Sequence, residues 1–176
     1  MGRMSKAKGA RYERYIADIF TQAGYVAHRS AQYCGKTGDA PDVVGLPYIH
    51  IECKYYKDTA WLNSWMEQAK RDAKDGNIPV VIHKVNYGTD KATLDATDAL
   101  EMLIEYMVAG NKDDLTCLIR KGRKYESMSG FKACEYLEKI DRGGMLVDMN
   151  LTDFIQLYRE YEASRYLAEE AKHGRA

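Results

Sequence analysis

Apolar positions recur at three-to-four spacing between Ser5 and Ala23, at Tyr12, Ile16, Ile19 and Phe20. That period predicts an amphipathic helix, with Gly24 as its stop. Tyr25 to His28 reads as a short strand. Ser30 to Pro41 reads as a loop rich in glycine and polar residues, turning at Gly35 and Gly38. Asp42 to Gly45 and Tyr48 to Tyr55 read as two strands joined by a tight turn at Leu46-Pro47, which makes a hairpin. Trp61 to Lys74 has helical spacing, with Trp61, Trp65 and Ala69 on one face and Gly76 just past its end. Ile78-Pro79 then leads into Val80 to Val85, whose near-continuous apolar run fits a central strand. Helix, three strands, helix, strand is the order of an α/β sandwich with a mixed sheet.

The second half is patterned less clearly. Helices are expected over Ala96 to Ala109, Phe131 to Ile140 and Asp153 to Lys172, the last with Thr152 as its N-cap. Short strands are expected over Leu115 to Arg120 and Met145 to Met149. The run Arg120-Lys121-Gly122-Arg123-Lys124, with Tyr125 beside it, is either a surface turn or a DNA-backbone contact.

Composition narrows the class. At 176 residues, 45% hydrophobic and 30% charged, the chain has the balance of one globular domain or one domain with an extension. No apolar run approaches the roughly 20 residues of a membrane helix. The basic start, Met1-Gly2-Arg3-Met4-Ser5-Lys6, leads into no apolar segment. Neither a spanning segment nor a signal peptide is expected. The four cysteines (Cys34, Cys53, Cys117 and Cys134) form no C-x-x-C pair, and no histidine is spaced for zinc. They fit the reduced thiols of a cytoplasmic protein, and Cys53 fits a small core residue better than a nucleophile. The four histidines make no H-N-H pattern, and no G-x-x-x-x-G-K-[ST] loop is present.

The net charge of zero hides an asymmetry. Residues 1–84 carry 13 Lys and Arg against 9 Asp and Glu, whereas residues 85–176 carry 13 against 17. The N-terminal excess lies in Arg3, Lys6, Lys8, Arg11 and Arg14. This basic helix is a candidate phosphate-backbone footprint or a solvated face.

The candidate chemistry lies in Pro41-Asp42 and in Tyr48-Ile49-His50-Ile51-Glu52-Cys53-Lys54. Alternation along a strand puts Ile49, Ile51 and Cys53 on one face and Tyr48, His50, Glu52 and Lys54 on the other. An E-x-K pair alone also fits a surface strand. The hairpin, however, brings Asp42 toward Glu52. Two close carboxylates repel unless a cation sits between them. Hard oxygen ligands with room for water suit Mg²⁺ or Mn²⁺. Such an ion stabilises charge on a scissile phosphate and activates water, with Lys54 placed to assist.

Pro41-Asp42 with Glu52-Cys53-Lys54 resembles the P-D and (D/E)-x-K elements of the PD-(D/E)XK nuclease superfamily. Gly9-Ala10-Arg11-Tyr12-Glu13-Arg14, Gly24-Tyr25-Val26-Ala27-His28-Arg29, Trp65-x-x-Gln68-Ala69 and Pro79-Val80-Val81-Ile82-His83 extend the likeness. The closest branch is the Holliday junction resolvase-like one, with its phage-type relatives. The resemblance implies a restriction-endonuclease-like core over 1–87, a central mixed β-sheet flanked by helices. Residues 88–176 would form a mostly helical C-terminal extension packed on the same domain.

For function, the resemblance implies a Mg²⁺-dependent endonuclease cutting branched DNA, a four-way junction first, as a homodimer. Restriction- or repair-type endonuclease and non-catalytic DNA-binding protein are the alternatives. Asp42, Glu52 and the Cys53 carbonyl would hold the metal, with Glu13 reaching in from the first helix. Lys54 would assist the attacking water and Gln68 would lie beside it. Arg29, Ser30 and Lys36 would meet the scissile strand, and Lys8, Arg11 and Arg14 the DNA backbone. A phage or prophage origin would follow.

Overall fold

A computed structural model of the chain describes residues 3–30, 40–74, 76–111, 115–122 and 124–173. The chain divides into two compact units, Met1–Leu94 and Asp95–Ala176.

The first unit opens with α1 (Arg3–Gln22), which buries Tyr12, Ile16, Ala17 and Phe20 along one stripe. Truncating Phe20 to Ala would cost about 3–5 kcal/mol, the usual cost for a buried aromatic. Gly24, at φ +103°, ends the helix. Tyr25 N–H reaches Phe20 O at 3.1 Å and Gly24 N–H reaches Thr21 O at 3.0 Å, the paired bonds of a Schellman ending. The Tyr25 ring then packs edge-on against Phe20, with centroids 6.0 Å apart. Tyr25 therefore closes the helix instead of opening a strand, and β1 starts later than expected, at His28–Arg29.

The expected hairpin forms. β2 (Val43–Val44) runs antiparallel to β1 and to β3 (Ile49–Tyr56), with Val43 opposite both Arg29 and Ile51. Backbone bonds continue past the strand ends, from Ser30 N–H to Asp42 O at 2.9 Å and from Asp42 N–H to Ile51 O at 2.8 Å. The turn falls at Pro47-Tyr48, one residue later than expected, with Tyr48 in the left-handed region at φ +64°. Gly45 is required where it stands. Its φ is +89°, and a Cβ there would lie 2.0 Å from the Val26 carbonyl oxygen.

From β3 the chain crosses through α2 (Leu62–Asp72) to β4 (Ile78–Val85), which lies parallel to β3 from Ile49↔Ile78 to Tyr56↔Val85. β5 (Lys91–Asp95), which the sequence pattern did not predict, adds antiparallel to β4. Within this unit the order is β1-β2-β3-β4-β5, a mixed sheet. Pro79 lies inside β4 rather than ahead of it. β5 pairs with β4 only at Val81 to His83, so the missing N–H of Pro79 falls where no second neighbour needs it.

Helices α1 and α2 cover opposite faces of β3. The Tyr12 ring lies 5.5 Å from that of Tyr55, and the Trp65 ring lies 4.9 Å from that of Tyr56. The face bearing His50 and Glu52 is consequently buried, as is usual for parallel strands. Of the apolar face expected on α2, Trp65 and Ala69 are buried, whereas Trp61 is exposed.

The second unit holds α3 (Ala96–Val108), β6 (Thr116–Lys121), β7 (Lys124–Ser129), α4 (Gly130–Glu138), β8 (Met145–Asn150) and α5 (Leu151–His173). Its strands run antiparallel in the order β8-β6-β7. The Asp95 side chain caps α3 by accepting Thr97 N–H at 2.9 Å. Phe154, Leu157, Tyr158 and Tyr161 of α5 are buried, and the Tyr161 hydroxyl donates to Glu101 of α3 at 3.1 Å. Thr152 is not an N-cap, because α5 already begins at Leu151. β7 escaped the sequence reading; its exposed residues Lys124 to Glu126 carry no apolar alternation. The basic run 120–122 closes the β6–β7 hairpin. Among the described residues, no helix is long and apolar enough to cross a membrane.

Candidate active site

β3 positions Glu52 and Lys54 on one face, and α2 lies over that face. Leu62, Trp65, Met66 and Ala69 are buried, and this fixes the helix rotation that turns Gln68 toward β3. The three side chains close a triangle. Lys54 Nζ donates to Glu52 Oε1 at 2.5 Å and to Gln68 Oε1 at 3.0 Å, and Gln68 Nε2 donates to Glu52 Oε1 at 2.9 Å. Gln68 is the one side chain here with both a donor and an acceptor, so it satisfies the base and the acid together.

Asp42 enters from the other arm of the hairpin. Pro41 precedes it, and β2 begins only at Val43. Where the strand gives out, Asp42 Oδ2 accepts the Cys53 N–H at 2.8 Å in place of a backbone carbonyl. Burial pushes the Asp42 carboxyl up from 3.8 to about 7, and the neighbouring Glu52 carboxylate pushes the same way. The Cys53 N–H opposes this, Glu13 adds to it, and Lys54 opposes it again. The Cys53 thiol is also pushed up, by burial first and by Asp42 next, so it is no nucleophile.

Glu13, on α1, pairs with Arg29 Nε. Arg29 thus meets an acid in the same site. Ser30 holds Asp42 through its backbone. Lys8 lies over the Tyr55 ring, 3.6 Å from its centroid. Arg11 and Arg14 are exposed on α1, and Lys36 lies outside the described residues.

One contributor gave no sequence signal. Asp90 accepts from Tyr12 Oη at 3.0 Å, Tyr15 Oη at 3.0 Å and Lys84 Nζ at 3.4 Å, fastening α1 beside the sheet. Its tyrosine partners lie 78 and 75 residues away, beyond any local pattern. Burial, then the Asp90 charge, drives the Tyr12 hydroxyl far up, so it stays a donor.

The donor set suits a divalent cation of the Mg²⁺ type. Among the described residues, no three His, Cys, Asp or Glu side chains gather closely enough to enclose a metal by themselves. Mg²⁺ does not ask for that; it is held through one or two carboxylates and keeps water or phosphate oxygens on its remaining positions. Asp42 and Glu52 supply two carboxylates, and the Glu52 charge raises the cost of ionising Asp42, a cost that a cation between them removes.

A mixed sheet flanked by helices, with an acid-x-lysine strand beside a second acid, is the restriction-endonuclease-like α/β fold. A family model described as "Phage putative PDDEXK endonuclease" matches residues 4–116, and the chain belongs to that family. No curated protein and no solved structure matches it. The family is one of endonucleases, which act on DNA, and PD-(D/E)XK nucleases generally use divalent metal ions.

Proposed function

We propose that this chain is a Mg²⁺-dependent endodeoxyribonuclease that cuts branched DNA, a four-way junction first, as a homodimer. The observation that carries the reading is the contact of Lys54 with both Glu52 and Gln68, beside the buried Asp42 carboxyl. Family membership supports DNA cleavage, and the likeness of the Glu13 helix to the resolvase branch supports the substrate and the dimer. Two-fold symmetry would present two such sites to opposed strands.

In this reading Asp42, Glu52 and the Cys53 carbonyl hold the ion, with Glu13 steadying its waters. Bound there, a divalent cation supplies positive charge to the scissile phosphate and lowers the pKa of water. Lys54 orients the attacking water and offsets the charge that develops on the phosphoryl oxygens. Gln68 holds the ammonium in place and fixes one oxygen of the Glu52 carboxylate. As water adds at phosphorus one P–O ester bond breaks, and the leaving oxygen takes up a proton from solvent. Arg11, Arg14 and Lys8 provide backbone charge along α1, with Arg29, Ser30 and Lys36 nearer the scissile strand.

The test is cleavage of a labelled four-way junction beside a matched linear duplex, in Mg²⁺ and in EDTA, by the wild type and by Glu52→Ala. Paired, symmetric, Mg²⁺-dependent cuts on the junction alone are expected, with none from the variant. Equal cutting of both substrates would remove the junction preference. Cutting by Glu52→Ala at the wild-type rate would remove the site.

A further inference from the structure

At the far end of β3 and β4, the site runs into three exposed aromatic side chains. Tyr56 is 38% exposed, Trp61 63% and Tyr87 fully exposed. Tyr56 stands one pleat beyond Lys54, and its ring rests on Trp65, 4.9 Å between centroids. Trp65 lies one helical turn before Gln68. Trp61 lies one turn before Trp65, whose N–H it accepts at 3.0 Å. Trp61 heads α2, makes no side-chain cap there, and leaves most of its indole in solvent.

Tyr87 is tied to the same end. Asn86 N–H donates to Tyr56 O at 3.2 Å, and Gly88 N–H closes a four-residue turn onto Val85 O at 3.0 Å. In that turn Tyr87 holds φ +62°, at the place where such turns normally take glycine or asparagine. A bulky residue in a strained conformation, with its ring wholly in water, gains nothing for the fold.

We propose that Tyr56, Trp61 and Tyr87 form a stacking platform for unpaired bases of a DNA strand leading to the Lys54–Gln68 site. The inference rests on the nuclease reading above and extends it to what the enzyme recognises. Paired DNA hides its base faces within the stack and offers only edges and phosphates. Exposed rings gain from bases already splayed out, whatever their sequence, because every base has a π-face. Lys57, exposed just past Tyr56, supplies charge for the backbone of the same strand. The platform would make a strand with unpaired bases, as at a branch point, a better ligand than a continuous duplex.

The chain has two tryptophans, Trp65 buried and Trp61 exposed, so the part of the indole emission that added DNA can quench by stacking belongs to Trp61. Dye-labelled short oligothymidylate and a dye-labelled blunt duplex of equal length are titrated with the full chain in Ca²⁺ instead of Mg²⁺, and anisotropy of the dye reads the affinity in every variant, including the one that lacks Trp61. The wild type, Trp61→Leu and Tyr87→Gly are compared. Oligothymidylate should quench the wild-type emission. Each substitution should weaken single-strand binding roughly tenfold, and duplex binding by much less. Tyr87→Gly should at the same time raise the melting temperature, because it relieves the turn; lower affinity in a more stable protein cannot be a folding defect. Unaltered single-strand affinity in both variants would overturn the platform, and Glu52-dependent cleavage by those variants would leave the nuclease standing. An emission maximum that shifts to the blue as protein concentration rises without DNA would assign the rings to contact between copies, which also overturns it. Binding of neither DNA would overturn the platform, while the junction cleavage described above decides the nuclease reading separately.

Discussion

Lys54 and Glu52 stand two residues apart on β3, and the ammonium lies 2.5 Å from Glu52 Oε1. The lysine is thus the built-in counter-charge of the acid pair. Replacing it with Met removes the counter-charge and keeps the aliphatic stem. Glu52 and Asp42 then attract a divalent ion more strongly, while the attacking water loses its orienting group. Lys54→Met should bind Mn²⁺ severalfold more tightly by calorimetry, yet cut DNA at least about 100-fold more slowly. A loss of ion affinity would sink the counter-charge role.

The raised carboxyl of Asp42 has a consequence for stability in the absence of metal. Its folded value, about 7, lies above its unfolded value of 3.8. Between those values the folded chain keeps a proton that the unfolded chain releases. Stability therefore falls as pH rises from about 4 to about 7, by on the order of 3 kcal/mol. Asp42→Asn keeps the acceptor for the Cys53 N–H and removes the titration. Urea midpoints measured in EDTA across this range should slope downward for the wild type and flatten for the variant. Mg²⁺ should restore more stability at pH 8 than at pH 5. A wild-type curve as flat as that of Asp42→Asn would show that the carboxyl is not held neutral.

Much of the site was legible because its elements are local. The hairpin and the E-x-K alternation follow from a period of two along neighbouring strands, whereas Gln68 entered through the family resemblance alone. What stayed hidden depends on distant partners. Asp90 gathers two tyrosines and a lysine, and nothing near it in the chain marks it. The β propensity of Tyr25 suggests a strand, but the residue closes the end of α1 through its N–H and its ring. Alternation gives the two sides of a strand but not what covers them; α2 covers the polar face of β3. β5 and β7 are short and largely polar at their ends, and their pairing partners decide them.

Gly45 tests how the fold fixes Asp42. Its absent Cβ leaves room for the Val26 carbonyl, and that contact sets β1 against β2 just beyond Asp42. Alanine there meets a backbone oxygen, which cannot swing aside, in a conformation that L residues rarely adopt. Gly45→Ala should cost about 3 kcal/mol or more in chemical denaturation. Gly24→Ala, which meets no atom within 4 Å, carries only the conformational penalty, about 1–2 kcal/mol. Equal costs at the two positions would mean that the Val26 contact does not constrain the hairpin.

Glu13 is paired with Arg29, and the pair decides what the α1 acid does. Both side chains are largely buried, so removing either leaves a charge short of its partner, at a cost of about 1–3 kcal/mol. A double-mutant cycle of Glu13→Gln and Arg29→Ala should return a coupling of about 1–2 kcal/mol. Ion affinity then separates two roles. If Glu13 serves the ion or its waters, Arg29 competes with that service. Arg29→Ala should then tighten Mn²⁺ binding, and Glu13→Gln in the same background should abolish the gain. If Glu13 only anchors α1 to β1, ion affinity should stay level in all three variants while stability falls. Calorimetry beside denaturation on the same proteins reads both, and level affinities would remove Glu13 from the metal centre while leaving Asp42 and Glu52 in it.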